Sequence, residues 1–136
     1  MSGPTDGPET LVLDASVAVD LLAGTTVAEP AAARLAHTEL HAPAHLDAEV
    51  LSALVRLHRT GELDAAAVAD GLMRLATMPL TRHPIANLAA DAWARRETLR
   101  LVDALYVALA AHLSVPVLTT DYRLARTCPL AEALSA

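Results

Sequence analysis

Four carboxylates interrupt or end apolar segments of this chain: Asp14, Glu49, Asp103 and Asp121. Asp14 closes the run Leu11-Val12-Leu13, and Asp121 comes soon after Val115-Pro116-Val117-Leu118. Asp103 is the only acid in the stretch Leu101 to Leu113, and Glu49 lies among Leu46, Val50, Ala53 and Leu57. A carboxylate set against a core costs roughly several kcal/mol, or takes up a proton, unless a cation compensates it. Four of them in separate segments suggest a fold that gathers them around positive charge. Oxygen-only ligation suits Mg²⁺ or Mn²⁺, hard ions that keep several waters and bind phosphates. Carboxylate clusters holding such ions support phosphoryl-transfer chemistry, with water activated and a departing oxygen stabilised.

The elements that must position these residues can be read from pattern. Thr10 to Leu13 is a short apolar strand, followed by a helix over Ala15 to Leu22 that Gly24 ends. Val27 to Thr38 is Ala-rich and helical, with Pro30 tolerable in its first turn. Leu40 to Ala42 is a minimal strand closed by Pro43. A long helix follows from about Ala44 to Arg59, with Gly61 as a C-terminal signal. Asp64 caps a helix to about Ala76, and Pro79 to Arg82 is a third strand. Pro84 opens a helix through about Thr98, Val102 to Leu113 is another, and Val115 to Leu118 is a buried strand. Leu124 to Arg126 is one helical turn before a short terminal segment. Short strands alternating with helices predict an α/β domain whose mainly parallel sheet is covered on both faces. In such sheets ligand sites lie beyond the carboxyl ends of strands, where Asp14 and Asp121 fall.

Helical spacing separates Glu49 from its neighbour Asp47. Glu49 is three residues from Leu46 and four from Ala53, so it shares the inward stripe of its helix. Asp47 lies about 100° around the helix from Leu46 and reads as a first-turn charge favoured by the helix dipole. Asp14, Asp103 and Asp121 can each also be read as helix caps. Capping explains neither Glu49 nor the placing of acids at the ends of two strands. His41 and His45 are four apart with Pro43 between them, and read as loop and cap histidines rather than zinc ligands.

The chain has 136 residues, enough for one domain with a real core. Residues 1–9 read as a flexible Gly/Pro-rich tail, leaving 10–136 as a single domain. The hydrophobic fraction is 54%, which excludes a disordered chain. The longest apolar stretch contains Asp103, His112 and Pro116, which argues against a membrane span. The first basic residue is Arg34, so no basic region of a signal peptide is expected near the start. With a single cysteine, Cys128, no internal disulfide exists, and a soluble cytoplasmic protein is expected.

All ten basic residues are arginine. The absence of lysine excludes a P-loop lysine, a Schiff-base lysine or a lysine general base. A net charge of −6 has the wrong sign for holding nucleic acid by charge alone. Nucleic-acid binding would have to use local arginines such as Arg95, Arg96 and Arg100 before Asp103, and Arg123 and Arg126 after Asp121. The alternative for these is a solvated helix face. No glycine-rich phosphate loop and no GxSxG motif is present.

The segments Leu11-Val12-Leu13-Asp14-Ala15-Ser16, His45 to Leu54, Val102-Asp103-Ala104-Leu105-Tyr106-Val107-Ala108-Leu109-Ala110 and Leu118-Thr119-Thr120-Asp121 closely resemble PIN-domain ribonucleases. Among these, the chain is most similar to the VapC toxins of VapBC toxin–antitoxin pairs. The likeness runs in order from about Leu11 to Arg126. It implies a three-layer α/β/α fold and Mg²⁺- or Mn²⁺-dependent endonucleolytic cleavage of RNA. It also implies that Asp14, Glu49, Asp103 and Asp121 form the acidic constellation, with Asp14 and Asp103 as direct metal ligands. Glu49 would hold metal or orient water, and Asp121 would complete the site directly or through water. Ser16 and Thr120 match small hydroxyl positions that support the acids, or else a helix-start hydroxyl and a turn threonine. Arg100 and Arg123 are the candidate RNA contacts. The resemblance further implies a homodimer and a VapB-like antitoxin whose C-terminal segment lies in the acidic groove, where a basic tail would be favoured. The nine-residue leader is a departure from the pattern that touches no catalytic position.

Two other readings compete. A phosphatase or receiver-like domain also sets aspartates at strand ends, but both usually need a lysine, and a DxD phosphatase would want an acid where Ser16 stands. A non-catalytic PIN-like module binding RNA or protein gives no reason to keep four costly acids.

Overall fold

In the computed structural model of the protein, residues 7–134 are described. Five parallel strands form one sheet in the order β3-β2-β1-β4-β5. They are β1 (Glu9–Leu13), β2 (Thr38–Pro43), β3 (Leu80–His83), β4 (Val117–Thr119) and β5 (Ala131–Ala133). Between them run α1 (Ala15–Ala23), α2 (Ala28–Leu35), α3 (Leu46–Arg59), α4 (Ala65–Thr77), α5 (Ala89–Ala94), α6 (Leu101–Leu113) and α7 (Tyr122–Thr127). Helix α1 packs against α2, α3 and α4, while α6 packs with α5 and lies over β1, β2 and β4. The result is the three-layer α/β/α arrangement expected from the alternation of strands and helices.

The central strand explains itself. Leu11, Val12 and Leu13 are fully buried, as a parallel strand covered on both faces requires. β1 is paired with β2 on one side (Leu11 with Leu40) and β4 on the other (Leu13 with Leu118). Connections from β1 lead one way to β2, and the chain later returns to β4, so β1 and β4 flank the point where the strand order reverses. A ligand site at the carboxyl ends of these two strands follows from that topology.

Helix α6 is apolar on all sides, and every residue from Ala104 to Ala110 is buried. That pattern marks a helix enclosed by its neighbours. The expected terminal signals operate. Gly24 (φ 69°) donates its N–H to the Asp20 carbonyl at the end of α1, and Gly61 (φ 84°) follows α3. Asp64 Oδ1 accepts the Ala67 N–H at 2.8 Å and caps α4.

Several boundaries differ from the sequence expectation. The helix over Pro84 to Thr98 is broken into a 3₁₀ turn at Ile85–Asn87, the short α5, and tight turns through Arg95–Thr98. The polar run Arg95-Arg96-Glu97 has no apolar face to bury, and the Thr98 hydroxyl donates to the Arg95 carbonyl in place of helix continuation. Helix α2 stops at Leu35 because His37 adopts a left-handed φ of 61° and Thr38 already belongs to β2. β4 begins two residues later than expected, since the Val115 N–H bonds back to the Ala110 carbonyl and closes α6. β5 was not expected as a strand; its three residues carry no alternating pattern, and its pairing with β4 creates it. Glu9, assigned by composition to the leading tail, pairs with Thr38 as the first residue of β1. The rest of that tail before Gly7, and the last two residues, lie outside the described residues. No helix among the described residues is long and apolar enough to cross a membrane.

Candidate active site

Asp14 stands directly after β1, with its N–H donated to the Leu118 carbonyl of β4 at 3.0 Å. It precedes α1, but its carboxylate caps no helix N–H. Instead Oδ2 accepts two hydroxyls, from Ser16 and from Thr119, each at 2.7 Å. The same hydroxyl oxygens accept backbone N–H groups of the following turn, Ser16 from Thr120 at 3.1 Å and Thr119 from Asp121 at 2.9 Å. Two small side chains thus fasten Asp14 to the turn after β4. Burial raises the Asp14 pKa above the ordinary carboxyl range. The two hydroxyl bonds work against that rise, and the charges of Glu49 and Asp103 add to it. This repulsion is the electrostatic mark of acids gathered in one place.

The other three acids arrive from different elements. Asp103 sits in the first turn of α6 rather than at its cap, which is Arg100. Its Oδ2 lies 3.3 Å from Arg100 Nε, whose side chain is largely exposed. Glu49 sits in the first turn of α3; its Oε1 accepts the Tyr106 hydroxyl at 2.6 Å. Asp121 does cap a helix: Oδ1 accepts the N–H groups of Arg123 at 2.9 Å and Leu124 at 3.2 Å. For this acid the capping reading holds, alongside its tie to Thr119. In each of the four, one carboxylate oxygen has no hydrogen-bond partner among the described residues: Asp14 Oδ1, Glu49 Oε2, Asp103 Oδ1 and Asp121 Oδ2.

These free oxygens suit a hard cation. No three Asp, Glu, His or Cys side chains among the described residues stand close enough to enclose an ion by themselves. The fit is to an ion such as Mg²⁺ that takes one or two carboxylates and keeps waters for the rest of its shell. A cavity of about 200 Å³ opens beside Asp103, with Arg100 and Arg123 in its wall. A second, of about 270 Å³, lies between Glu49 and Asp103 and is lined by Arg100, Leu101 and Val102.

Three participants were missed in the sequence. Thr119, not Thr120, supplies the hydroxyl on Asp14; Thr120 contributes only its backbone N–H. Strand alternation separates Thr119 from Leu118, and Thr120 already lies beyond the end of β4. Tyr106 is the second, its hydroxyl bonded to Glu49. Its place three residues after Asp103 on one helix face was a usable signal. His45 lies one turn before Glu49, with Nε2 3.4 Å from Glu49 Oε1. Both its ring nitrogens are buried and lack a hydrogen-bond partner among the described residues. His41 is not near a zinc set; it bonds His83 at 2.8 Å and Glu39 at 2.9 Å.

The PIN domain family matches residues 11–129. Ribonuclease VapC3 of Mycobacterium tuberculosis is 54% identical over 134 residues, covering 98% of each chain. Among solved structures, Pyrobaculum aerophilum PAE2754 superposes with a TM-score of 0.67 at 21% identity, covering 92% of this chain and 89% of its own. A toxin–antitoxin complex from Klebsiella pneumoniae gives 0.65 at 19% identity, covering 90% and 96%. These two share the fold. With a family match across nearly the whole domain and a relative of such identity, the chain belongs to the PIN domain family and, within it, to the VapC ribonucleases.

Proposed function

We propose that this protein is the toxin of a type II toxin–antitoxin pair, an endoribonuclease that hydrolyses RNA with Mg²⁺ or Mn²⁺ at Asp14, Glu49, Asp103 and Asp121. The observation that carries the reading is the Asp14 carboxylate, buried, fixed by two hydroxyls, and opposed by the charges of Glu49 and Asp103. A divalent cation bound there supplies an activated water and charge stabilisation for the departing oxygen. Asp14 and Asp103 are its direct ligands in this reading. Glu49 orients water or adds a ligand, and Asp121 completes the set directly or through water. Ser16 and Thr119 hold the Asp14 rotamer, so the charge is in place before substrate arrives. Arg100 and Arg123 receive RNA phosphates at the cavity beside Asp103.

The working form in this reading is a cytoplasmic homodimer, silenced by a VapB-like antitoxin whose basic segment enters the acidic groove. The relative named VapC3 and the toxin–antitoxin complex that shares the fold support the antitoxin partner in this reading. Purified protein should cut a mixed RNA pool with Mg²⁺ or Mn²⁺ and not with EDTA, and Asp14→Asn should cut nothing while keeping the parent circular dichroism spectrum. Equal cutting by parent and variant would sink the site assignment. Metal-independent cutting would sink the chemistry.

A further inference from the structure

We propose that Tyr106 is a positioning residue for this reaction, clamping one oxygen of Glu49 so that the other is presented to the metal or its water. The inference rests on the function proposed above. Tyr106 is only 1% exposed, and its hydroxyl, which also lies within reach of the Ala15 backbone, donates to Glu49 Oε1 at 2.6 Å, joining α6 to α3. His45 Nε2 approaches the same Oε1, at 3.4 Å, and its ring lies 4.8 Å from the Tyr106 ring. Both contacts fall on one oxygen, and Oε2 stays free among the described residues.

The geometry matters because Glu49 is otherwise loosely held. Its side chain is about one-third exposed, on the first turn of a helix, with three rotatable bonds. A carboxylate in that setting samples several rotamers, only some of which point at a shared ion. The phenol removes that freedom, and its position three residues after Asp103 on one rigid helix sets Glu49 against Asp103 at a fixed spacing. A tyrosine kept only for packing would be replaceable by Phe, which has the same ring and lacks the oxygen.

Tyr106→Phe, Glu49→Ala and the double variant separate these cases. Two readouts are used, RNA cleavage with Mn²⁺ and the rise in melting temperature on Mn²⁺ titration. Tyr106→Phe should lower kcat by about 10- to 100-fold with KM for RNA held, and should raise the Mn²⁺ concentration for half-maximal stabilisation about 10-fold. In the Glu49→Ala background the same substitution should change neither readout, because its effect passes through Glu49. An equal loss in both backgrounds would make Tyr106 a packing residue and overturn the inference, as would a Tyr106→Phe enzyme that matches the parent in both readouts. A parent that neither cuts RNA nor gains stability with Mn²⁺ would instead overturn the underlying function, and the inference with it.

Discussion

Asp14 concentrates the tension of the site in one side chain. Its raised pKa means that the folded chain holds this proton more tightly than the unfolded chain does. The stability this group contributes is fully present below about pH 4, the unfolded Asp value, and is lost as pH rises through the raised folded value. In EDTA, Asp14→Asn should therefore melt higher than the parent at pH 7, with the gap closing as the pH falls toward about 4. A variant that melts lower at pH 7 would show that the charge is already compensated without metal. The hydroxyls give a second residue-level expectation. Thr119 is fully buried, donates to Asp14 and accepts the Asp121 N–H, so Thr119→Val should cost about 1–3 kcal/mol in urea unfolding. Thr120→Val, which removes no side-chain hydrogen bond, should stay within about 0.5 kcal/mol of the parent. The reverse order would return the supporting role to Thr120.

At the scale of elements, arginines tie helices to strands and strands to one another. Arg34 on α2 donates two hydrogen bonds to Glu9 of β1 at 2.8 Å each and two to Glu132 of β5 at 2.7 and 2.9 Å. Hydrogen bonds to those two carboxylates hold its guanidinium pKa above the usual arginine value. Arg82 on β3 likewise grips Asp47 of α3 at 2.7 and 3.0 Å and reaches the Leu75 carbonyl at the end of α4. Exposed ion pairs contribute little, but Arg34 is three-quarters buried and paired through both edges of its fork. Arg34→Lys should lower the unfolding free energy by about 1 kcal/mol in denaturant titrations, since an ammonium cannot serve two carboxylates bidentately. Retention of full stability would reduce the clamp to an exposed surface pair. The element lost to sequence reading was β5, and Glu132 within it is half of this clamp. A three-residue edge strand exists only because β4 and Arg34 receive it.

For the molecule as a whole, charge balance decides how RNA can be held. With a net charge of −6, broad electrostatic attraction is absent, and affinity must come from a few guanidinium groups together with cations in the acidic site. If Arg100 and Arg123 are the phosphate contacts, log affinity for single-stranded RNA should fall with log salt at a slope of about −1.4, and Arg100→Ala should reduce it by about 0.7. Binding of the non-cleaving Asp14→Asn protein across a salt series measures this. A parent slope near about −4 would indicate a wider basic surface than these two residues provide.

The sequence by itself determined the fold class and most of the elements that carry the four acids. Burial imposes period: three apolar residues in β1, a continuous apolar α6 and the Leu46–Val50 stripe of α3 each have one way to be buried. Glycine and aspartate signals at Gly24, Gly61 and Asp64 mark helix ends because they act within a turn of the chain. What only the tertiary structure decided was every partnership across large sequence distance. Thr119 reaches Asp14 from 105 residues away and Tyr106 reaches Glu49 from 57 away. The break of the helix after Pro84 and the existence of β5 likewise depend on what surrounds them. Local sequence specifies which face a residue takes, but not which residue from another element will meet it there. That meeting follows from strand order, and the adjacency of β1 and β4 brought Asp14 beside Thr119 and the turn that follows it.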